Sequence, residues 1–135
     1  MKIEFEGILM LKDPSFEDIH KKFSFPERAV PIAPNHTHIT LVDWRILQPY
    51  TDILNSKDFV FPAIPKIQFE SKIWHRIDEK RGRETWALKV TKSTQKALEK
   101  FVDKIRMDLG INIRENRTCP LSLANRTGNP RPPVR

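Results

Sequence analysis

The sequence has little cysteine and lacks a long hydrophobic run. Its 135 residues include one cysteine, Cys119, so no disulfide can form within the chain, as is typical of proteins from a reducing cytoplasm. No apolar stretch approaches the roughly 20 residues that a membrane-spanning helix needs. The first residues, MKIEFEGILML, alternate acids with apolar residues, which predicts a strand and not a signal peptide. These absences predict a soluble, cytoplasmic protein with no membrane partner.

Acidic side chains are outnumbered by basic ones. The chain has 17 Asp and Glu against 24 Lys and Arg, which gives a net charge of +7. Such an excess favours an anionic partner, namely a nucleotide, a nucleic acid or a phosphorylated small molecule, although a generic basic surface gives the same count. The basic residues are scattered along the chain instead of massed in one tail, which favours a folded site over a nucleic-acid coat.

The hydrophobic pattern predicts one domain, residues 1–135, in which strands and helices alternate. The strands are expected at Lys2–Leu11, His36–Asp43, Lys66–Ile77, Glu84–Thr91 and Thr118–Ala124. The helices are expected at Asp13–Phe23, near Ile46–Ser56, and at Thr94–Leu109 with Ser93 as the cap and Gly110 as the stop. A proline-rich segment, 126–135, is predicted to be an extended surface tail.

The order of these elements contains a loose internal repeat. In the first copy a strand ending in LMLK leads to a helix ending in IHKKF and then to a strand carrying HITL. In the second copy the corresponding segments are ALKV, ALEKF and PLSL. Two such units predict an α+β fold with two pseudo-symmetric lobes of antiparallel sheet facing a central cleft, and with the helices packed outside.

The predicted strand NHTHITLV, residues 35–42, carries two histidines. Because alternate residues of a strand share a face, we expect His36, His38 and Thr40 on one face. The imidazole of His38 can transfer a proton near neutral pH, and the hydroxyl of Thr40 can hold a phosphate oxygen. This pattern fits half of a catalytic site, a strand with no chemical role, or a metal site. A metal site needs a third ligand, and none is apparent.

The segment HITL, His38–Leu41, resembles the H-apolar-T/S-apolar signature of the 2H phosphoesterases. That superfamily includes the 2′–5′ RNA ligase-like proteins and carries the signature twice, once per lobe. With APNHTHITLV and LSLANRTGNP, the chain is similar over nearly its whole length to a short phage branch, the anti-CBASS cyclic-oligonucleotide phosphodiesterases. Those enzymes degrade cyclic di- and trinucleotide immune signals without a metal.

The resemblance implies a hydrolase of phosphodiester bonds that uses neither a cofactor nor a metal. Its partner would be a cyclic oligonucleotide, with no stable nucleic-acid complex, in the cytoplasm of a phage-infected host cell. An alternative of a different class is a protein that binds cyclic nucleotides without turning them over. A weaker alternative is an RNA-end-processing protein of the ligase-like branch.

Carried over by position, the resemblance makes His38 a catalytic histidine, and Thr40 and Ser122 the two phosphate-holding hydroxyls. The second histidine should stand two residues before Ser122, where the chain has Pro120. Loss of one general acid–base group typically slows a reaction by ~10²–10⁴-fold. Two explanations for Pro120 are open. The second copy of the repeat has lost its histidine in the natural protein, or a single base change has converted a histidine codon into a proline codon. Alternatively, His36 or His75 serves as the second group.

Aromatic side chains are candidates for holding the bases, because stacking works with every base. Trp74, Trp86 and Tyr50 are the predicted substrate-binding aromatics, together with Trp44. Each is equally consistent with a position in the core or at its rim. Asn125 opens the turn NRTGN directly after the second hydroxyl strand, and the resemblance implies that it lines the cleft.

Overall fold

The structure is a computed structural model, and it describes residues 1–5, 9–42, 47–110 and 119–129. Trp44 lies outside these ranges, as do Asp43, Thr118 and residues 130–135 of the predicted tail. Within the described ranges, no helix is both long enough and apolar enough to cross a lipid bilayer.

The described chain forms seven strands and several helices. The strands are β1 (Lys2–Phe5), β2 (Leu9–Lys12), β3 (Val30–Pro31), β4 (Ile39–Val42), β5 (Phe69–Asp78), β6 (Arg83–Val90) and β7 (Leu121–Asn125). The α-helices are α1 (Pro14–Lys21), α2 (Thr51–Leu54) and α3 (Lys92–Leu109), and 3₁₀ turns occupy Pro34–His36 and Gln48–Tyr50.

All strands belong to one antiparallel sheet with the order β1-β2-β4-β7-β6-β5, and β3 pairs with β7. This confirms the predicted α+β class. The order repeats: a hairpin (β1–β2), helix α1 and strand β4 form one half, and a hairpin (β5–β6), helix α3 and strand β7 form the other. The repeat seen in the sequence therefore coincides with a repeat in topology, and β4 and β7 meet at the centre.

A row of apolar side chains crosses the whole sheet, one from each main strand. In spatial order the row is Ile3, Leu11, Ile39, Leu121, Leu88 and Ile73. Its members pack in the main core with side chains of both long helices, including Phe16 of α1 and Leu98 of α3. The helices thus cover this face, which we call the helix face. Residues that alternate with the row leave from the opposite side, which we call the His38 face.

The N-terminal segment is a hairpin and not the single strand predicted at Lys2–Leu11. Strands β1 and β2 pair antiparallel, with Phe5 opposite Leu9. The prediction was wrong because the alternating residues of β1 are followed by the apolar, buried residues of β2, a pattern that also fits one strand running into the core. Periodicity does not reveal where a chain reverses.

The ends of the long helices follow local signals. Asp13 caps α1 by accepting a hydrogen bond from the backbone of Ser15, a role for which aspartate is strongly preferred. Helix α3 begins earlier than predicted, at Lys92, because Thr91 and not Ser93 accepts the hydrogen bond from the backbone of Thr94. It ends at Gly110, whose φ of 72° is the left-handed conformation that glycine adopts most easily.

Candidate functional site

The two halves of the sheet meet where Ile39 of β4 lies opposite Leu121 of β7. Both of these side chains point into the core, so the neighbouring residues are presented on the His38 face. Those neighbours are His38 and Thr40 on one strand and Pro120 and Ser122 on the other. Adjacent strands lie about 4.8 Å apart. The structure therefore gathers the three predicted catalytic residues, and the position of the expected second histidine, around one cross-strand pair.

His38 directly precedes β4 and is held in one orientation. Its side chain is 7% exposed, and its Nδ1 lies 2.9 Å from the backbone carbonyl oxygen of His36. A carbonyl oxygen only accepts hydrogen bonds, so Nδ1 carries the proton of the neutral ring and Nε2 is the basic nitrogen. A fixed tautomer of this kind is what a histidine needs to act as a general base.

His36 does not share a strand face with His38, contrary to the prediction. It ends the 3₁₀ turn that begins at Pro34, in which the backbone N–H of Thr37 donates to the Pro34 carbonyl at 3.2 Å. The imidazole of His36 is exposed, and its contribution to the site is the carbonyl oxygen that orients His38. The proline two residues before His36 was the sequence signal for this turn.

Pro120 occupies the place that corresponds to His38 in the other half. Because Ile39 pairs directly with Leu121, the topological repeat relates His38 to Pro120 and Thr40 to Ser122. His38 directly precedes β4, and Pro120 directly precedes β7. The side chains of Thr40, Pro120 and Ser122 are half-buried. Pro120, the position at which the resemblance implies a second histidine, therefore lies within the candidate site.

Trp74 lies on the His38 face, in the same cross-strand row as Ser122. Ala87 pairs with Ser122 on one side and with Trp74 on the other, and its small side chain is fully buried. The Lys89 ammonium lies 4.6 Å from the Trp74 ring centroid, and the Arg76 guanidinium lies 6.0 Å from it. The backbone of Trp74 is therefore two strand spacings, about 10 Å, from that of Ser122, and two cations lie against the Trp74 ring.

The other predicted aromatics are separated from this arrangement. Trp86 is 4% exposed and lies on the helix face, opposite His75 in the β5–β6 ladder. Tyr50 is half-buried and packs against the main core. A ligand bound beside His38 therefore cannot stack on Trp86, and of the predicted substrate-binding aromatics in the described ranges only Trp74 shares that face.

Asn125 is buried, and its amide group organises the turn that follows β7. Its side-chain nitrogen donates to the carbonyl of Asn129 at 2.7 Å, and its side-chain oxygen accepts from the backbone of Thr127 at 3.0 Å. This is an Asx-type turn, in which the side chain replaces a backbone partner. Contact between Asn125 and a substrate stays a prediction.

Comparisons of the chain with protein-family models, with curated proteins and with solved structures give no match. Among the described residues, no three His, Cys, Asp or Glu side chains converge in a way that could hold a metal ion. A fold class alone does not define a function, which depends on the side chains that the fold brings together.

A second polar cluster, which the sequence analysis missed, surrounds Glu84 on the helix face. The Glu84 carboxylate accepts two hydrogen bonds of 3.0 Å from Arg28 and lies 2.6 Å from Nε2 of His75. Arg126 forms a further ion pair with it at 3.5 Å. The hydrogen bonds from Arg28, aided by His75, lower the pKa of Glu84 from 4.5 to about 2, although burial opposes the shift. The one hint in the sequence was an acid at a core-facing position of β6.

The lowered pKa predicts that Glu84 makes folding sensitive to acid. A carboxylate whose pKa is depressed on folding stabilises the protein fully above its ordinary value of 4.5, and this contribution is lost as the pH falls towards 2. We expect Glu84→Gln to flatten the fall in the free energy of unfolding between pH 6 and pH 2, measured by urea titration followed by tryptophan fluorescence. Glu70→Gln, at an exposed position of β5, should keep the wild-type slope. An unchanged slope in Glu84→Gln would contradict the assignment.

Proposed function

We propose that the protein is a metal-independent phosphodiesterase that cleaves cyclic di- and trinucleotides, of the anti-CBASS kind, with Pro120 in the place of its second catalytic histidine. One observation carries the proposal: His38, Thr40, Ser122 and Pro120 flank a single cross-strand pair at the centre of a repeated topology. A two-lobed 2H phosphoesterase-like fold is part of the same proposal. Its cleft would follow the junction of β4 and β7, where Ile39 lies opposite Leu121, which we call the seam.

In the proposed reaction, His38 acts as the general base. Its Nε2 removes the proton from an attacking ribose hydroxyl or water, a new P–O bond forms, and the bond to the leaving ribose oxygen breaks. The hydroxyls of Thr40 and Ser122 donate hydrogen bonds to the non-bridging phosphate oxygens, where negative charge increases in the transition state. The ring of Trp74 stacks on a base, and Lys89 and Arg76 attract the phosphates.

The leaving oxygen has no acid catalyst in this arrangement. The symmetric position is Pro120, whose side chain cannot donate a proton, so the leaving oxygen takes its proton from water. The same observation favours a second candidate function, a protein that sequesters cyclic nucleotides. Such a protein would keep the hydroxyls, the Trp74 ring and the net charge of +7 without requiring turnover.

The two candidates separate in an assay with a cyclic dinucleotide in the presence of EDTA. We expect slow turnover that falls at least ~10²-fold in His38→Ala, because the general base is lost. His36→Ala is the matched control, since it removes the neighbouring imidazole and keeps the backbone carbonyl that orients His38. Turnover that survives in His38→Ala would contradict the enzyme. Equimolar binding without turnover would establish the sequestering protein, and neither binding nor turnover would contradict both.

A further inference from the structure

We propose a second ligand site on the helix face, in which Arg28, Arg126 and His75 bind a phosphate group around the buried carboxylate of Glu84. The site is separate from the seam at His38 because it lies on the opposite side of the sheet. His75 follows Trp74 on β5, and successive residues of a strand point to opposite faces. It does not depend on the proposed phosphodiesterase activity.

The charge of the cluster favours an anion. A single carboxylate, 2% exposed, holds two guanidinium groups whose side chains are 60% and 51% exposed, and an imidazole that is 37% exposed. Two fixed positive charges against one negative charge leave a net charge of +1 before His75 is protonated. The negative charge is covered, whereas the positive groups reach the solvent, so the surface presented to a ligand is positive.

The arginines keep donors that Glu84 does not use. Arg28 bonds Glu84 through Nε and Nη2, and Arg126 uses Nε towards Glu84 and Nη1 towards the carbonyl of Gly82. In the described part of the chain, no acceptor engages Nη1 of Arg28 or Nη2 of Arg126. A guanidinium offers five N–H donors in a fixed plane, so each of these solvent-exposed arginines keeps donors suited to a phosphate.

Trp86 helps to fix these groups before any ligand arrives. The His75 ring stacks on it with centroids 4.9 Å apart and an interplanar angle of 20°, and the guanidinium of Arg28 lies 5.4 Å from its centroid. Since the indole is buried, it is a rigid support. Donors held in this way lose little conformational entropy on binding, which favours a specific site over a diffuse positive surface.

His75 extends the same surface. Its Nε2 donates to Glu84, so Nδ1 is the nitrogen without a proton in the neutral ring, and it becomes a donor when the ring is protonated. A tetrahedral oxyanion suits this set better than a metal ion does, because two guanidinium groups repel a cation. Free inorganic phosphate and the phosphate of a mononucleotide share this chemistry.

The test is a titration with inorganic phosphate, and separately with adenosine monophosphate, while the NMR signals of the His75 ring are followed at fixed pH and ionic strength. We expect a saturable shift with phosphate that persists in His38→Ala. Affinity should fall roughly 10-fold in Arg126→Gln, the loss expected for a charge-assisted hydrogen bond. Tighter binding of adenosine monophosphate would identify a nucleotide as the ligand, and equal binding would identify the phosphate group alone.

Two further variants keep the test decisive. Arg28→Lys leaves a positive partner for the buried Glu84 and removes the planar fork, so it should fold and bind more weakly. Arg81→Gln is the matched control, since this exposed arginine pairs with Asp78 at the hairpin tip and carries the same charge. A shift of His75 that does not saturate, or an equal loss of affinity in Arg81→Gln, would overturn the proposal. If phosphate does not bind at this site while His38-dependent turnover is retained, the second site is contradicted and the proposed function is not.

Discussion

Replacing Pro120 by histidine is expected to raise the turnover of a cyclic dinucleotide by about 10²–10⁴-fold, the usual contribution of one general acid–base group. The substituted imidazole would stand where the topological repeat relates it to His38, across the seam formed by Ile39 and Leu121. It could then protonate the leaving ribose oxygen while His38 deprotonates the nucleophile. In the proposed reaction, Pro120 leaves the role of general acid unfilled.

The substitution is well suited to the backbone. Pro120 is half-buried and precedes β7, so its side chain is not enclosed in the core. Proline has no N–H, so no backbone hydrogen bond donated by residue 120 is lost on replacement. Histidine is therefore expected to be accommodated with little loss of stability. A change in the turnover rate can then be attributed to the new imidazole and not to partial unfolding.

The rate should be measured in EDTA across a range of pH. Pro120→Ala controls for release of the proline constraint and should leave turnover near the starting level. Pro120→His combined with His38→Ala should lose most of the gain, because one imidazole cannot serve as both acid and base in the same step. A gain accompanied by a bell-shaped pH profile would show two titrating groups. An equal gain in Pro120→Ala would attribute the effect to the backbone and contradict the acid role.

Elements with local start and stop signals were predictable from the sequence. Helix α1 has Asp13 and Pro14 at its start, and helix α3 has Gly110 at its end. Strands β5 and β6 were predicted with nearly their observed bounds, and Gly82 adopts a φ of 62° in the turn between them. Each of these signals is contained in a few neighbouring residues, so no knowledge of the tertiary structure was needed.

Features that depend on distant pairing were not predictable. Two local features were also missed, the reversal between β1 and β2 and the 3₁₀ turn at His36, because the strand pattern was extended through both although Pro34 marked the turn. The candidate site was likewise predictable only in part. The alternation placed His38 and Thr40 together, and the repeat pointed to Ser122, but only the sheet shows that Ile39 lies opposite Leu121. The partners of Glu84 were beyond reach, since Arg28 lies 56 positions away.

Leu121→Ala is expected to lower the free energy of unfolding by about 2–5 kcal/mol, the range for large-to-small changes in a packed core. Leu121 is fully buried, and it lies between Ile39 and Leu88 in the row that crosses the sheet. The cavity would open where the two halves of the fold meet, and side chains of both halves would lose packing partners. Urea unfolding followed by tryptophan fluorescence measures the loss.

The matched control is Met107→Ala, since Met107 is 79% exposed on α3 and its removal should change stability by less than about 0.5 kcal/mol. Combining Leu121→Ala with Ile39→Ala tests whether the seam acts as one unit. Because the two residues are cross-strand neighbours, the double variant should depart from additivity by roughly 0.5–3 kcal/mol. Strict additivity would mean that each half packs independently against its own helix. In that case the placement of His38 beside Ser122 would not be maintained by the Ile39–Leu121 contact, and the geometry of the candidate site would require another support.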